Sequence, residues 1–367
     1  MLKKFTVRNY KGFKDDITVD FSNYRDYKFN SHVIQNGLLT KSVIYGKNSS
    51  GKTNFGLALF DITLHLVDKQ QSPHEYANYL NASSVETSAS FEYVFLLENK
   101  EVIYRYKKRN ANQLVFEELF IANERVFTYS YSAKRGDFEN LGLVDAASLQ
   151  IPIGDMNISV LRYIRNNSVQ DKKSILSQLF SFVERMLWFR SLGENEYIGY
   201  TTGIDFIMAS IVNNGRLADY EKFLNDMEIP VKLEYRKDVT GNGVIYAKFS
   251  DRYLNFWDIA SNGTKALTLY YYWSQKFSDI SFLFIDEFDA FYHTEISETI
   301  LKKLTESKLN QAMVTTHNTA LMSNNILRPD CYFILTKNKL TPLPECTERE
   351  LREGHNLEKM FRNGEFK

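Results

Sequence analysis

The sequence predicts an α/β fold: a mixed sheet with crossover helices, an antiparallel β-meander beside it, and a helical insertion. Three stretches predict it. Residues 42–66 read as strand, glycine turn and helix. Residues 89–131 alternate apolar and polar residues in short runs, and residues 254–340 read as helix, strand, helix, strand.

In chain order, residues 1–22 read as two strands joined by the turn Tyr10-Lys11-Gly12-Phe13-Lys14. Residues 23–45 lead into a short buried strand, Ser42-Val43-Ile44-Tyr45. Thr53 to Leu66 reads as a helix with Phe55, Leu59, Ile62 and Leu66 on its apolar side. A polar stretch from Asp68 to Ser88 reads as helix and loop. The meander follows, with turn-like breaks at Glu98-Asn99-Lys100, Asn110-Ala111-Asn112 and Ala122-Asn123-Glu124. Ser168 to Leu192 and Gly203 to Met227 carry helical periodicity, too short and without sustained heptads for a coiled-coil arm. Residues 231–250 return to strand pattern around a Thr240-Gly241-Asn242-Gly243 hairpin turn. The division expected is 1–150 and 231–345 as two halves of one core, 151–230 as the insertion, and 346–367 as a charged, helical tail.

Composition narrows the class. The chain has 367 residues, 44% of them hydrophobic, enough for a large core. Lys+Arg and Asp+Glu are equal at 45 each, so no global charge advertises nucleic acid, although a local basic patch stays open. The two cysteines, Cys331 and Cys346, have no metal-ligand spacing and suggest a reducing compartment. No segment approaches the ~20 apolar residues that span a bilayer, and the N-terminus lacks a signal-peptide block. A soluble, cytoplasmic protein without membrane attachment is expected.

The chemistry concentrates in Gly46-Lys47-Asn48-Ser49-Ser50-Gly51-Lys52-Thr53, followed by Asn54, which fits G-x-x-x-x-G-K-[ST] at every fixed position. Glycines at both ends let successive N–H groups point inward and, with the start of the helix, cradle phosphate oxygens. Lys52 can reach the β- and γ-phosphates of ATP, and the Thr53 hydroxyl can take a Mg²⁺ position. Seen alone, the octamer could also be a turn that merely joins two elements. Ser281-Phe282-Leu283-Phe284-Ile285-Asp286-Glu287 is an apolar strand ending in two carboxylates. Asp286 fits the strand-end metal carboxylate, and Glu287 the base that polarises an attacking water. A buried strand capped by surface acids would look the same in isolation. Gln311-Ala312-Met313-Val314-Thr315-Thr316-His317 reads as a neighbouring strand whose His317 can contact the γ-phosphate or orient the water. In Ala260-Ser261-Asn262-Gly263-Thr264-Lys265, Ser261 and the Gly263 backbone can cap the next helix and offer a second anion site, or serve as an ordinary cap.

The order of these four pieces resembles the ABC-type ATPase heads of the SMC, RecF and OLD (overcoming lysogenisation defect) group. Val7-Arg8-Asn9-Tyr10-Lys11-Gly12-Phe13 is similar to that group's opening strand and turn, and Asp286-Glu287-Phe288-Asp289-Ala290-Phe291-Tyr292-His293 to a stretch of OLD-like AAA ATPases. Within the group the chain resembles AAA-domain ATPases found beside bacterial abortive-infection and other phage-defence genes. The likeness covers about residues 1–130 and 245–340.

The resemblance implies a P-loop NTPase with an ABC-ATPase-like head that hydrolyses ATP with Mg²⁺. ATP held by Gly46, Lys47, Asn48, Ser49, Ser50, Gly51, Lys52, Thr53 and Asn54 of one protomer would be closed over by Ser261 and Gly263 of another, in a homodimer or higher oligomer. Glu287 would carry hydrolysis, His317 would sense the γ-phosphate, and Thr53 and Asp286 would hold the metal. The segment Ser-Asn-Gly-Thr-Lys departs from the usual Leu-Ser-Gly-Gly-Gln. No nuclease domain fits after His317, so any effector is expected to be a separate polypeptide. A RecF-like DNA clamp and an ATP-sensing scaffold with negligible turnover are the alternatives. Glu353 to Phe361 reads either as a docking helix or as a helix packed on its own domain.

Overall fold

The computed structural model describes all residues except 68–76, 155, 191–196, 200–205, 238–242, 338 and 367. The chain opens with a hairpin, β1 (Leu2–Arg8) and β2 (Ile17–Asp20). Strand β3 (Lys41–Tyr45) is buried along its whole length, and its loop leads into α1 (Lys52–Phe60). The helix expected to continue to Leu66 breaks at Asp61 and resumes as α2 (Ile62–Leu66). The meander follows as β4 (Ala89–Leu97), β5 (Lys100–Asn110), β6 (Gln113–Ile121), β7 (Glu124–Ser130) and the short β8 (Arg135–Asp137). Its turns fall at Glu98-Asn99 and Ala122-Asn123, where left-handed backbone lets two residues reverse the chain.

Helices α3 (Val160–Asn167), α4 (Ile175–Glu184), α5 (Phe206–Asn213) and α6 (Leu217–Asp226) lie within the stretch expected to be helical. That stretch also supplies two strands, β9 (Met186–Arg190) and β10 (Tyr197–Gly199), which corrects the helical reading of Ser168 to Leu192. A continuous apolar run such as Met186-Leu187-Trp188-Phe189 carries no period that separates helix from buried strand, and these residues are buried in the sheet. Next come a three-stranded sheet of β11 (Leu233–Lys237), β12 (Gly243–Phe249) and β13 (Arg252–Asn255), then α7 (Asn262–Ser274), β14 (Phe282–Asp286), α8 (Thr294–Glu306) and β15 (Ala312–Thr316). The hairpin turn expected at Thr240-Gly241-Asn242 lies outside the described residues. The chain closes with β16 (Tyr332–Leu335), β17 (Leu340–Pro342) and α9 (Leu357–Arg362).

Two seven-stranded sheets organise these elements. One runs β8-β7-β6-β5-β4-β1-β2 and is antiparallel throughout. The other runs β10-β9-β14-β15-β3-β16-β17; its five central strands are parallel and its edge strands antiparallel. The parallel strands β14, β15 and β3 therefore end at one edge, where ligands of open α/β sheets bind. The Gln311 side chain ties the sheets together, accepting from Leu2 N at 2.7 Å and donating to Leu2 O at 2.7 Å.

A buried polar network joins the helix pair to the meander. Asp61, at the break, accepts from Lys108 Nζ at 2.7 Å, Tyr79 Oη at 2.8 Å and Tyr106 Oη at 2.9 Å. Both members of the Asp61–Lys108 pair are fully buried. A second buried carboxylate, Glu117, accepts from Tyr104, Tyr131, Ser159 and the Val160 amide at the start of α3, and burial raises its pKa. His65 lies between the two clusters, its Nε2 2.9 Å from the Tyr104 oxygen and its ring edge-on to Tyr106 at 4.4 Å between centroids.

The tail contains only the short helix α9. Leu357 and Met360 are buried, α9 lies against the turn Thr319–Leu321, and the Asn324 amide donates to the carbonyls of Arg352, Glu353 and His355. Of the two readings of this segment, the structure shows packing on its own domain.

Candidate nucleotide-binding site

The loop from Gly46 to Gly51 curls back on itself, with Ser50 N donating to Lys47 O at 3.1 Å and Ser49 in left-handed backbone. A Cβ at Gly46 would lie 2.3 Å from Ser50 Oγ and 2.9 Å from Leu335 O, so the strand can turn into this loop only at glycine. Gly51 has φ +103 and sits under the Phe13 ring, 2.8 Å from where a Cβ would be. The turn of the N-terminal hairpin thus roofs the loop, and the first N–H groups of α1 face outward from beneath it.

The loop forms one wall of an open cleft of about 970 Å³ at the carboxyl edge of the parallel sheet. Asn48, Ser49, Gly51, Lys52, Thr53 and Asn54 line that wall. Glu287, Asp289, Ala290, Tyr292, His317 and Asn318 line the other. Gly46, Lys47 and Ser50 shape the loop from behind. Parallel pairing of β14 with β15 and of β15 with β3 brings these distant segments to one edge.

Lys52 Nζ donates to Gly46 O at 3.1 Å and lies 2.6 Å from His317 Nε2. Burial lowers the Lys52 pKa, while Glu287, Asp286 and Asp289 oppose the shift. Burial, and then the Lys52 charge, lower the His317 pKa, a shift that favours the neutral ring. His317 Nε2 is 3.9 Å from Glu287 Oε1.

The fully buried Asp286 accepts from Thr53 Oγ1 at 2.6 Å through one oxygen and from Thr315 Oγ1 at 2.7 Å through the other. Glu287 follows in left-handed backbone at φ 47, its N–H donating to Thr315 Oγ1 at 2.8 Å. Asp289 accepts from Thr316 Oγ1 at 2.6 Å, and burial raises its pKa. Among the described residues no group of three metal-binding side chains occurs. Mg²⁺ fits such a site all the same, because it takes one or two protein oxygens and completes its shell with phosphates and water. The adjacent Thr53 hydroxyl and Asp286 carboxylate are oxygen donors of the kind such a shell takes.

Ser261 and Gly263 are absent from this lining. Ser261 caps α7, its Oγ accepting from Thr264 N at 3.1 Å. A Cβ at Gly263 would lie 2.9 Å from Phe291 O, which places the cap beside the turn that follows Glu287. Ser261 is exposed.

Residues 41–323 match a family described as "AAA domain, putative AbiEii toxin, Type IV TA system". The chain belongs to this AAA family. The matched span runs from β3 through the phosphate loop, β14 and β15 to beyond His317, so every wall of the cleft lies inside the AAA domain. Among solved structures, the chain is similar to an SMC head bound to the C-winged helix domain of ScpA, at 17% identity over 93% of this chain and 97% of that one, with TM-score 0.48. It is also similar to the SMC head domain of Thermotoga maritima, at 15% identity over 93% and 98%, with TM-score 0.44. A third is the Smc head with an extended coiled coil bound to the C-terminal domain of ScpA derived from Pyrococcus furiosus, at 13% identity over 93% and 95%, with TM-score 0.46. No curated protein matches the sequence.

The sequence reading singled out neither Thr315 nor Asp289 for a role. Their signal was adjacency alone: Thr-Thr before His317, and a third acid two residues after Glu287. What Thr315 touches depends on the register between β14 and β15, which no local pattern carries.

Proposed function

We propose that this AAA-family chain binds and hydrolyses Mg·ATP in the cleft between the phosphate loop and the ends of β14 and β15. One observation carries the reading: Lys52, Thr53, Asp286, Glu287 and His317 converge there from segments more than 200 residues apart in sequence. Loop amides and the Lys52 ammonium bind the phosphates. Mg²⁺, held by Thr53 and Asp286, would supply charge neutralisation at the phosphate oxygens. Glu287 takes a proton from the attacking water as the γ-phosphorus–oxygen bond breaks, and His317 hydrogen-bonds the γ-phosphate. Lys52 must then leave His317 for phosphate.

Ser261 and Gly263 lie off their own cleft on an exposed helix start, which supports closure of two protomers head to head, each cap facing the other's γ-phosphate. Control of a separately encoded effector in anti-phage defence is the biological role proposed, on the resemblance to AAA-domain ATPases found beside phage-defence genes. The two buried free thiols, Cys331 and Cys346, and the lack of a helix able to cross a membrane among the described residues fit a cytoplasmic setting. The DNA-clamp alternative gains less support. Three basic residues on the open face of the meander are paired, Lys4 and Arg105 with Glu92, Arg105 also with Glu118, and Arg8 with Glu86, while the exposed Lys107 beside them forms no salt bridge among the described residues.

Calorimetry with Mg·ATP and phosphate release on wild type and Glu287→Gln test this. Binding by both, with turnover and a shorter-lived ATP complex in the wild type only, is expected. Glu287→Gln should elute with ATP as a larger species. Equal phosphate release from the two proteins removes Glu287 as the base, and no heat from Mg·ATP removes the reading altogether.

A further inference from the structure

We propose that Thr315 is the positioning residue that holds the metal carboxylate Asp286 and the base Glu287 in their working geometry. The inference rests on the ATPase reading and assigns a role to a side chain that does not line the cleft.

Strand register places Thr315. Ile285 pairs with Val314 in the parallel ladder, so Thr315 stands level with Asp286 at the end of the neighbouring strand. Thr315 is fully buried. Its single hydroxyl is used in both directions, donating to Asp286 Oδ1 at 2.7 Å and accepting from Glu287 N at 2.8 Å. With Thr53 on Oδ2, this donor fixes the rotation of the Asp286 carboxylate and keeps one oxygen turned towards the phosphate loop.

Glu287 needs holding for another reason. A non-glycine residue at φ 47 occupies a sparsely populated, strained region of backbone conformation. The bond from Glu287 N to the Thr315 hydroxyl, and that from Phe288 N to Thr315 O at 3.2 Å, grip both sides of the strained residue. Without the hydroxyl, the Glu287 amide loses its buried acceptor and the turn can relax to right-handed backbone. The carboxylate would then swing out of line with the attacking water. Thr316 does the analogous service for Asp289 but touches neither Asp286 nor Glu287 in these contacts.

Thr315→Val keeps the shape and removes the hydroxyl, while Thr315→Ser keeps the hydroxyl and trims a methyl group. With ATP alone, all three proteins should bind equally. With Mg²⁺ added, Thr315→Val should lose most of the metal-dependent gain in affinity. Its kcat should fall about tenfold or more, with KM changed by less than about threefold. Thr315→Ser should restore both properties to within about threefold of wild type. A Thr315→Val protein with wild-type kcat and wild-type Mg²⁺ response overturns the proposal, as does equal damage in Thr315→Val and Thr315→Ser, which would make Thr315 a packing residue. A wild type that binds no Mg·ATP fails at the earlier step and overturns the functional reading instead.

Discussion

The Lys52 ammonium has two partners: it lies 2.6 Å from His317 Nε2 and 3.1 Å from the Gly46 carbonyl. The same charge that should grip phosphate is parked on the residue that should sense it. Lys52→Ala removes a charge-assisted contact worth about 3 kcal/mol. Mg·ATP affinity should fall by roughly 100-fold, read by calorimetry, with the thermal midpoint little changed. Unaltered affinity would mean that the loop amides alone bind the phosphates.

Ser261 is exposed at the start of α7, and its cap abuts Phe291 of the turn after Glu287. Ser261→Arg should leave ATP binding by the separate protomer within about twofold and abolish turnover, because the larger side chain blocks approach of a second copy. In a Glu287→Gln background it should also abolish the larger ATP-dependent species in size exclusion. Undiminished phosphate release by Ser261→Arg would rule out the trans contact.

Lys108→Met leaves Asp61 buried with two tyrosine hydroxyls and no countercharge. Removing one member of a buried pair costs about 3–5 kcal/mol; the tyrosine bonds put the expected loss near the lower figure. Urea denaturation should show it. Adding Asp61→Asn should recover part of the loss, since the uncompensated charge is gone.

His65 is half-buried, and its burial followed by the Lys108 charge holds its pKa well below the ordinary 6.5. Above that value both folded and unfolded chains carry a neutral ring, and the full stability is present. Below it the unfolded chain binds a proton that the folded chain refuses, so stability falls as pH drops. The slope reaches about 1.4 kcal/mol per pH unit for the one group. Urea midpoints at about pH 7.5 and 5.5, spanning the histidine range, should separate for wild type and converge in His65→Gln. His317 is shifted in the same direction and leaves a smaller residual slope in that variant.

The legible parts of this protein are those whose chemistry is contiguous. The phosphate loop announces itself in eight residues because the backbone curl and the lysine reach are both local. Asp286 follows from an apolar run that can only be buried, ending in two acids. The strand β9 was illegible because Met186–Phe189 continues the apolar stretch of α4 without a change of period. The break at Asp61 answers to Lys108, Tyr79 and Tyr106, partners up to 47 residues away that a helical pattern does not report. Thr315 was visible as a letter and invisible as a contact, because its bonds span 28 and 29 residues across a ladder. Ser261 lay in plain view, but its distance from its own cleft is a three-dimensional fact.

The Gln311 amide has a mechanical consequence. Immediately before β15 begins, one side chain takes the place of a neighbouring strand for Leu2, using both of its polar ends on a single peptide. The antiparallel layer is thereby pinned to the far end of the very strand that ends in Thr315, Thr316 and His317. Any displacement of that strand along its axis would be handed through this amide to the first β-strand, as a tiller moves its rudder.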